Sequence, residues 1–143
     1  VGHVKEYAGK ISSGTFVYTD VDNNQFTNTT PVMDTIAFQP GFDTIIKSQA
    51  NTLTWIGSPL TANQSVGVFI GSWTWGQDAL FYQNQVGATN IVMGVSALNA
   101  LALGTSTVYM DRSTETSVAQ GTSEGGKIRS KYRALNKVVQ VVP

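Results

Sequence analysis

The chain has 143 residues, enough for one domain with a real core. It carries 9 Lys+Arg and 9 Asp+Glu, and charged residues make up 13% of it, about half the ~25% usual in soluble domains. Such a balance gives no bulk attraction to nucleic acid or to an anionic membrane, and it favours association over colloidal repulsion.

The absence of cysteine excludes disulfides, zinc–thiolate sites and thiol catalysis. No apolar run reaches the ~18 residues of a membrane span. The uncharged polar composition points to an extracellular or cell-surface setting. The chain begins at Val1 without a signal-like segment, as expected of a processed or excised form.

Residues 1–14 are mixed, and their alternation allows a short strand or an arm. Residues 15–21 are rich in β-formers (Phe16, Val17, Tyr18), and Asp22, Asn23 and Asn24 give a turn before 25–29. The pattern predicts a hairpin. Residues 31–40 are less regular, with a small apolar patch at Ile36, Ala37 and Phe38. The region 1–40 therefore reads as an arm or hairpin elaboration, and 41–143 as the main domain.

From Phe42 the pattern is regular. Strands are predicted at 42–47 and 51–56, the latter placing Leu53 and Trp55 on one face. The longest apolar stretch runs from 65 to 75. Read as one strand, it points Val66, Val68 and Ile70 one way and Phe69, Trp73 and Trp75 the other. Further strands are predicted at 79–83, 88–93, 105–112, 127–134 and 137–142. One short helix is predicted at 97–103, capped by Ser96 and ended by Gly104. Many short strands and one helical signal indicate an all-β sandwich or barrel. Its core should hold Leu53, Trp55, Val68 or Phe69, Ile91, and Val108 or Tyr109.

A resemblance covers 51–142. T-L-T-W at 52–55, S-P-L-T-A-N-Q at 58–64 and G-A-T-N-I-V-M at 87–93 carry it. L-N-A-L-A-L-G at 98–104, Y-M-D-R at 109–112 and Q-G-T-S-E-G-G-K-I at 120–128 complete it. These segments resemble immunoglobulin-like or fibronectin-like modules of bacterial surface proteins. The resemblance implies a two-sheet antiparallel sandwich and specifies layout, not chemistry.

Candidate sites are few. The only histidine, His3, lies near a terminus, where a Ser-His-Asp triad or a two-histidine metal site has no support. Residues 121–127 match most of a phosphate-binding loop, but Ile128 stands where Ser or Thr should follow Lys127. Asp20, Asp22 and Asn24 have the alternation of a calcium loop; the loop glycine is replaced by Gln25 and the terminal glutamate by Pro31. The same residues make an ordinary hairpin turn, so no metal or other cofactor is assigned.

Trp73, Trp75, Phe81 and Tyr82 are candidates for an aromatic platform that stacks on sugars, or for core and interface residues. Lys127, Arg129, Lys131 and Arg133 share one strand face. Such a stripe guards a strand edge or binds an anionic polysaccharide or partner. The expected function is a non-enzymatic extracellular structural or adhesive subunit that self-associates or packs on a neighbouring surface protein. Phe69, Trp73 and Trp75 would form its interface. The alternative is a carbohydrate-binding module using the aromatics near 73–82 or the basic strand.

Overall fold

A computed structural model describes residues 2–71 and 75–143. The chain is all-β, with 47% strand and 3% helix. Its elements are β1 (Thr15–Thr19), β2 (Gln25–Thr29), β3 (Ala37–Phe38), β4 (Thr44–Ile46), β5 (Asn51–Ile56) and β6 (Gln64–Gly71). Then follow β7 (Ala79–Gln83), β8 (Asn90–Met93), α1 (Val95–Leu98), β9 (Gly104–Ser117), β10 (Lys127–Arg133) and β11 (Lys137–Val142).

The largest sheet has the order β4-β11-β9-β6-β7, with β10 also paired to β9, and it curls into a half-barrel. The organising strand is β9. Along one side it pairs with β6 from Gln64↔Thr114 to Gly71↔Thr107. Along the other it pairs first with β11 and then with β10. β3, β5 and β8 make a small second sheet, and β1 and β2 a separate hairpin.

Alternation decides the core. Val66, Val68 and Ile70 of β6 are fully buried, as are Val108 and Met110 of β9. Leu53, Trp55, Ile91 and Met93 join them from the small sheet. Each such side chain contributes roughly 1.5–3 kcal/mol on burial. The inner positions expected from the sequence are thus Val68 and Val108, while Phe69 and Tyr109 take the other face.

Three expectations need correction. The described strands form three sheets, and β4 runs parallel to β11, so the arrangement is not purely two antiparallel layers. The helix is a single turn at Val95–Leu98 with Gly94 as N-cap; Ser96 lies inside it and makes no cap. The strand expected at 65–75 is described as far as Gly71 and does not reach Trp75. At Gly71 the Phe69 ring lies over the glycine, within 2.7 Å of where a Cβ would stand. Trp75 follows in a turn closed by Gly76, whose φ of +78° suits glycine. Trp73 lies outside the described residues.

β9 also runs past its expected end at Arg112 to Ser117. Residues 36–38, which the sequence grouped with the arm, add β3 to β5 and bury Ile36 in the core.

Candidate functional site on the outer face of the large sheet

The register builds the outer face row by row. Leu80, Phe69 and Tyr109 are direct partners across β7, β6 and β9. Phe69 and Tyr109 rings sit 6.0 Å apart at a tilt of 44°. The Arg133 guanidinium lies 5.9 Å from the Tyr109 centroid, a cation–π arrangement that extends the row to β10. Leu80 is 70% exposed and Phe69 38%. This row is apolar and open to solvent.

The next row holds Tyr82, Gly67 and Asp111. Nothing lies within 4 Å of where a Gly67 Cβ would stand, so the glycine leaves a dip in the face. Tyr82, 66% exposed, stands on one side of the dip and Asp111 on the other. Ser65 and Ser113 form the row below it. The Phe69 interface candidate, the Tyr82 platform candidate and the basic stripe therefore share one face. Phe81, in contrast, points into the core, and Trp75 stands 98% exposed in the β6–β7 turn.

The basic stripe is real but half neutralised. Lys127, Arg129, Lys131 and Arg133 are all exposed on one side of β10. Arg129 bonds Glu115 at 2.7 Å and Arg133 bonds Asp111 at 2.8 Å. Both carboxylates are cross-strand partners on β9. The bond to Asp111, and then its charge, hold the Arg133 guanidinium above its ordinary pKa; Glu6 of the arm adds to this. Lys131 faces Ser113, and Lys127 bonds Ser117 Oγ at 3.3 Å. The stripe keeps two lysines without a carboxylate opposite.

The calcium-like motif is used by its own turn. Asp20 Oδ1 accepts the N–H groups of Asp22 at 2.9 Å and Asn24 at 2.8 Å, and Oδ2 accepts Asn24 Nδ2 at 3.0 Å. Asn23, with φ of +65°, supplies the left-handed residue of the turn. Among the described residues no group of three or more His, Cys, Asp or Glu could hold a metal ion. The loop at 121–127 leads into β10, a strand, so it lacks the helix N-terminus on which a phosphate loop depends. His3 is exposed in the arm. Among the described residues no helix is long and apolar enough to cross a membrane.

One cluster escaped the sequence reading. Arg112 is only 1% exposed. Its guanidinium donates to Ser58 O at 2.6 Å, Pro59 O at 3.1 Å and Gln64 Oε1 at 2.7 Å, with Asp34 Oδ2 at 3.6 Å. Burial lowers its pKa, and the Asp34 charge opposes that shift. The cluster ties the 57–64 loop and the segment around Asp34 to β9. The signal was in the alternation: Arg112 shares the parity of Val108 and Met110, and Gln64 that of Val66 and Val68. A charge on the apolar side of a strand is a buried, paired charge.

No family model, curated protein or solved structure matches the chain.

Proposed function

We propose that the protein is a non-enzymatic, extracellular structural or adhesive subunit that packs the outer face of its large sheet on a copy of itself or a neighbouring surface protein. The row Leu80–Phe69–Tyr109 carries this reading. It places exposed apolar groups side by side on a sheet whose other face already fills the core. The low charge of the chain supports it. We place the body among immunoglobulin-like modules, with the small sheet as the second layer over the inner face of the large one.

Sedimentation of wild type, Leu80→Asp and Phe69→Asp tests the proposal. The wild type should form a concentration-dependent oligomer that both variants lose, with unchanged circular dichroism. A wild type that stays monomeric at high concentration sinks it.

A second reading rests on the dip over Gly67. A flat exposed tyrosine beside a carboxylate and two serines suits a sugar, which offers an apolar face and a ring of hydroxyls. Binding to a glycan array by the monomer, lost in Tyr82→Ala, would put this carbohydrate-binding reading first.

A further inference from the structure

The hairpin β1–β2 buries none of its residues. A lone two-stranded hairpin is marginal in water, so its free edge matters. In an antiparallel pair, backbone groups alternate between facing the partner strand and facing away. Thr30 N–H bonds Gly14 O, and Asp20 N–H bonds Asn24 O. With the register Thr15↔Thr29 to Thr19↔Gln25, this alternation makes Phe16↔Asn28 and Tyr18↔Phe26 the hydrogen-bonded pairs. The N–H and C=O of Thr15, Val17 and Thr19 then face outward, as do those of Gln25, Thr27 and Thr29.

On β2 this outward edge is covered. Gln120 Oε1 accepts the Thr27 N–H at 2.8 Å, and the Asn28 side chain binds the 119–120 backbone. On β1, among the described residues, no strand pairs with the outward edge. Nor does it carry the usual guards: T-F-V-Y-T has no charge and no proline. Val17 is 59% exposed and Tyr18 54%. The outer strand β10, by contrast, carries four basic side chains.

We propose that β1 pairs antiparallel with β1 of a second copy, across a two-fold axis at Val17. The sequence is self-complementary about that residue: Thr15 meets Thr19, Phe16 meets Tyr18, and Val17 meets itself. No charge meets a like charge anywhere along the pair. The outward backbone groups fall in register, with the Val17 N–H of each copy donating to the Val17 carbonyl of the other. Phe16 and Tyr18 add to the Tyr18–Phe26 stack, whose centroids lie 6.1 Å apart, and make an aromatic ribbon across four strands. An edge pair of five residues buries less than the ~1,200 Å² of a standard interface, so the contact is weak and concentration-dependent. It rests on an edge, not on the outer face of the large sheet, and stands apart from the contact proposed there. Together the two contacts would link subunits into a chain.

The native chain has no cysteine, so single cysteines report the register. Val17→Cys places two thiols in a hydrogen-bonded pair with Cα atoms ~5.5 Å apart, within disulfide range. Thr15→Cys places its own two copies roughly 13 Å apart along the strand. At high concentration under mild oxidant, Val17→Cys should form covalent dimer on the order of tenfold faster than Thr15→Cys, because only the former meets the geometric requirement. A mixture of Thr15→Cys and Thr19→Cys should form the mixed dimer. Circular dichroism checks that each variant is folded. Equal rates for Val17→Cys and Thr15→Cys, or no cross-link in either Val17→Cys or the mixture, overturn the pairing. Loss of the Val17→Cys cross-link in a Leu80→Asp background overturns it too, assigning the contact to the outer face. The outer-face contact is read independently, by sedimentation of Leu80→Asp with β1 intact.

Discussion

Arg112 and Arg133 lie one step apart in the β9–β10 ladder, where Tyr132 pairs with Arg112 and Arg133 with Asp111. They end on opposite faces of one sheet. Arg112 is 1% exposed among backbone carbonyls, Gln64 and Asp34. The Arg133 side chain is 58% exposed against a single carboxylate. Residue type is the same; strand parity decides the rest. On the inner face the charge must be surrounded by acceptors, because an unpaired buried charge costs several kcal/mol. On the outer face water screens it, and the pair serves to fix register and leave a usable surface.

Substitution at the two positions should separate the faces sharply. Arg112→Ala removes a fully buried side chain and the shared donor of Ser58 O, Pro59 O and the buried Gln64 Oε1. Truncating a large buried side chain together with its hydrogen bonds typically costs ~2–5 kcal/mol. Urea denaturation should show a loss of that size, with Arg112→Met falling between it and wild type. A loss below ~1 kcal/mol, the range of a surface pair, would mean the cluster is solvated in solution. Arg133→Ala should cost only about 0–1 kcal/mol, because the pair with Asp111 is exposed. A larger loss would mean that the outer face is not free surface but packed.

Much of the scaffold was legible because it obeys a period of two. The six residues of β5 read N-T-L-T-W-I with Leu53 and Trp55 inside, and both bounds fall where the alternation puts them. The same rule failed at Trp75, which stands in a turn. Trp75 continues the odd parity of Phe69, but parity carries meaning only while the chain remains extended, and in this turn Gly76 is left-handed. Aromatic residues were read as strand formers, which carried Trp75 into the strand. β9 was cut short at Arg112 because S-T-E-T-S looks like loop. It stays extended because Asp111 and Glu115 meet Arg133 and Arg129 across the ladder, a pairing that needs both strands to be seen. The Arg112 cluster was half visible. Parity exposes Arg112 and Gln64, but Asp34 arrives from a region with no periodicity at all, and only the fold delivers it. The outer-face rows depend on register between β6, β7 and β9, which strand-by-strand reading does not supply.

The smallest effect lies in the hairpin, where no packing masks electrostatics. The Asp20 carboxylate is held below its ordinary pKa of 3.8, first by the Asn24 side-chain amide and then by the Asn24 and Asp22 backbone N–H groups. Its folded value is therefore depressed relative to the unfolded chain. The sign follows from linkage: the stabilisation is fully present above the unfolded value and is lost as pH falls through the folded one. The turn should thus be unchanged from neutral pH to about pH 5, and should loosen only below the ordinary aspartate range near 4. Amide chemical shifts of Asp22 and Asn24 report it directly, since their N–H groups donate to Asp20 Oδ1. Both should move together at a midpoint below 3.8 and should stay flat in Asp20→Asn, whose amide does not titrate in this range. A midpoint above 3.8 would reverse the sign and show that the carboxylate is not held by the turn.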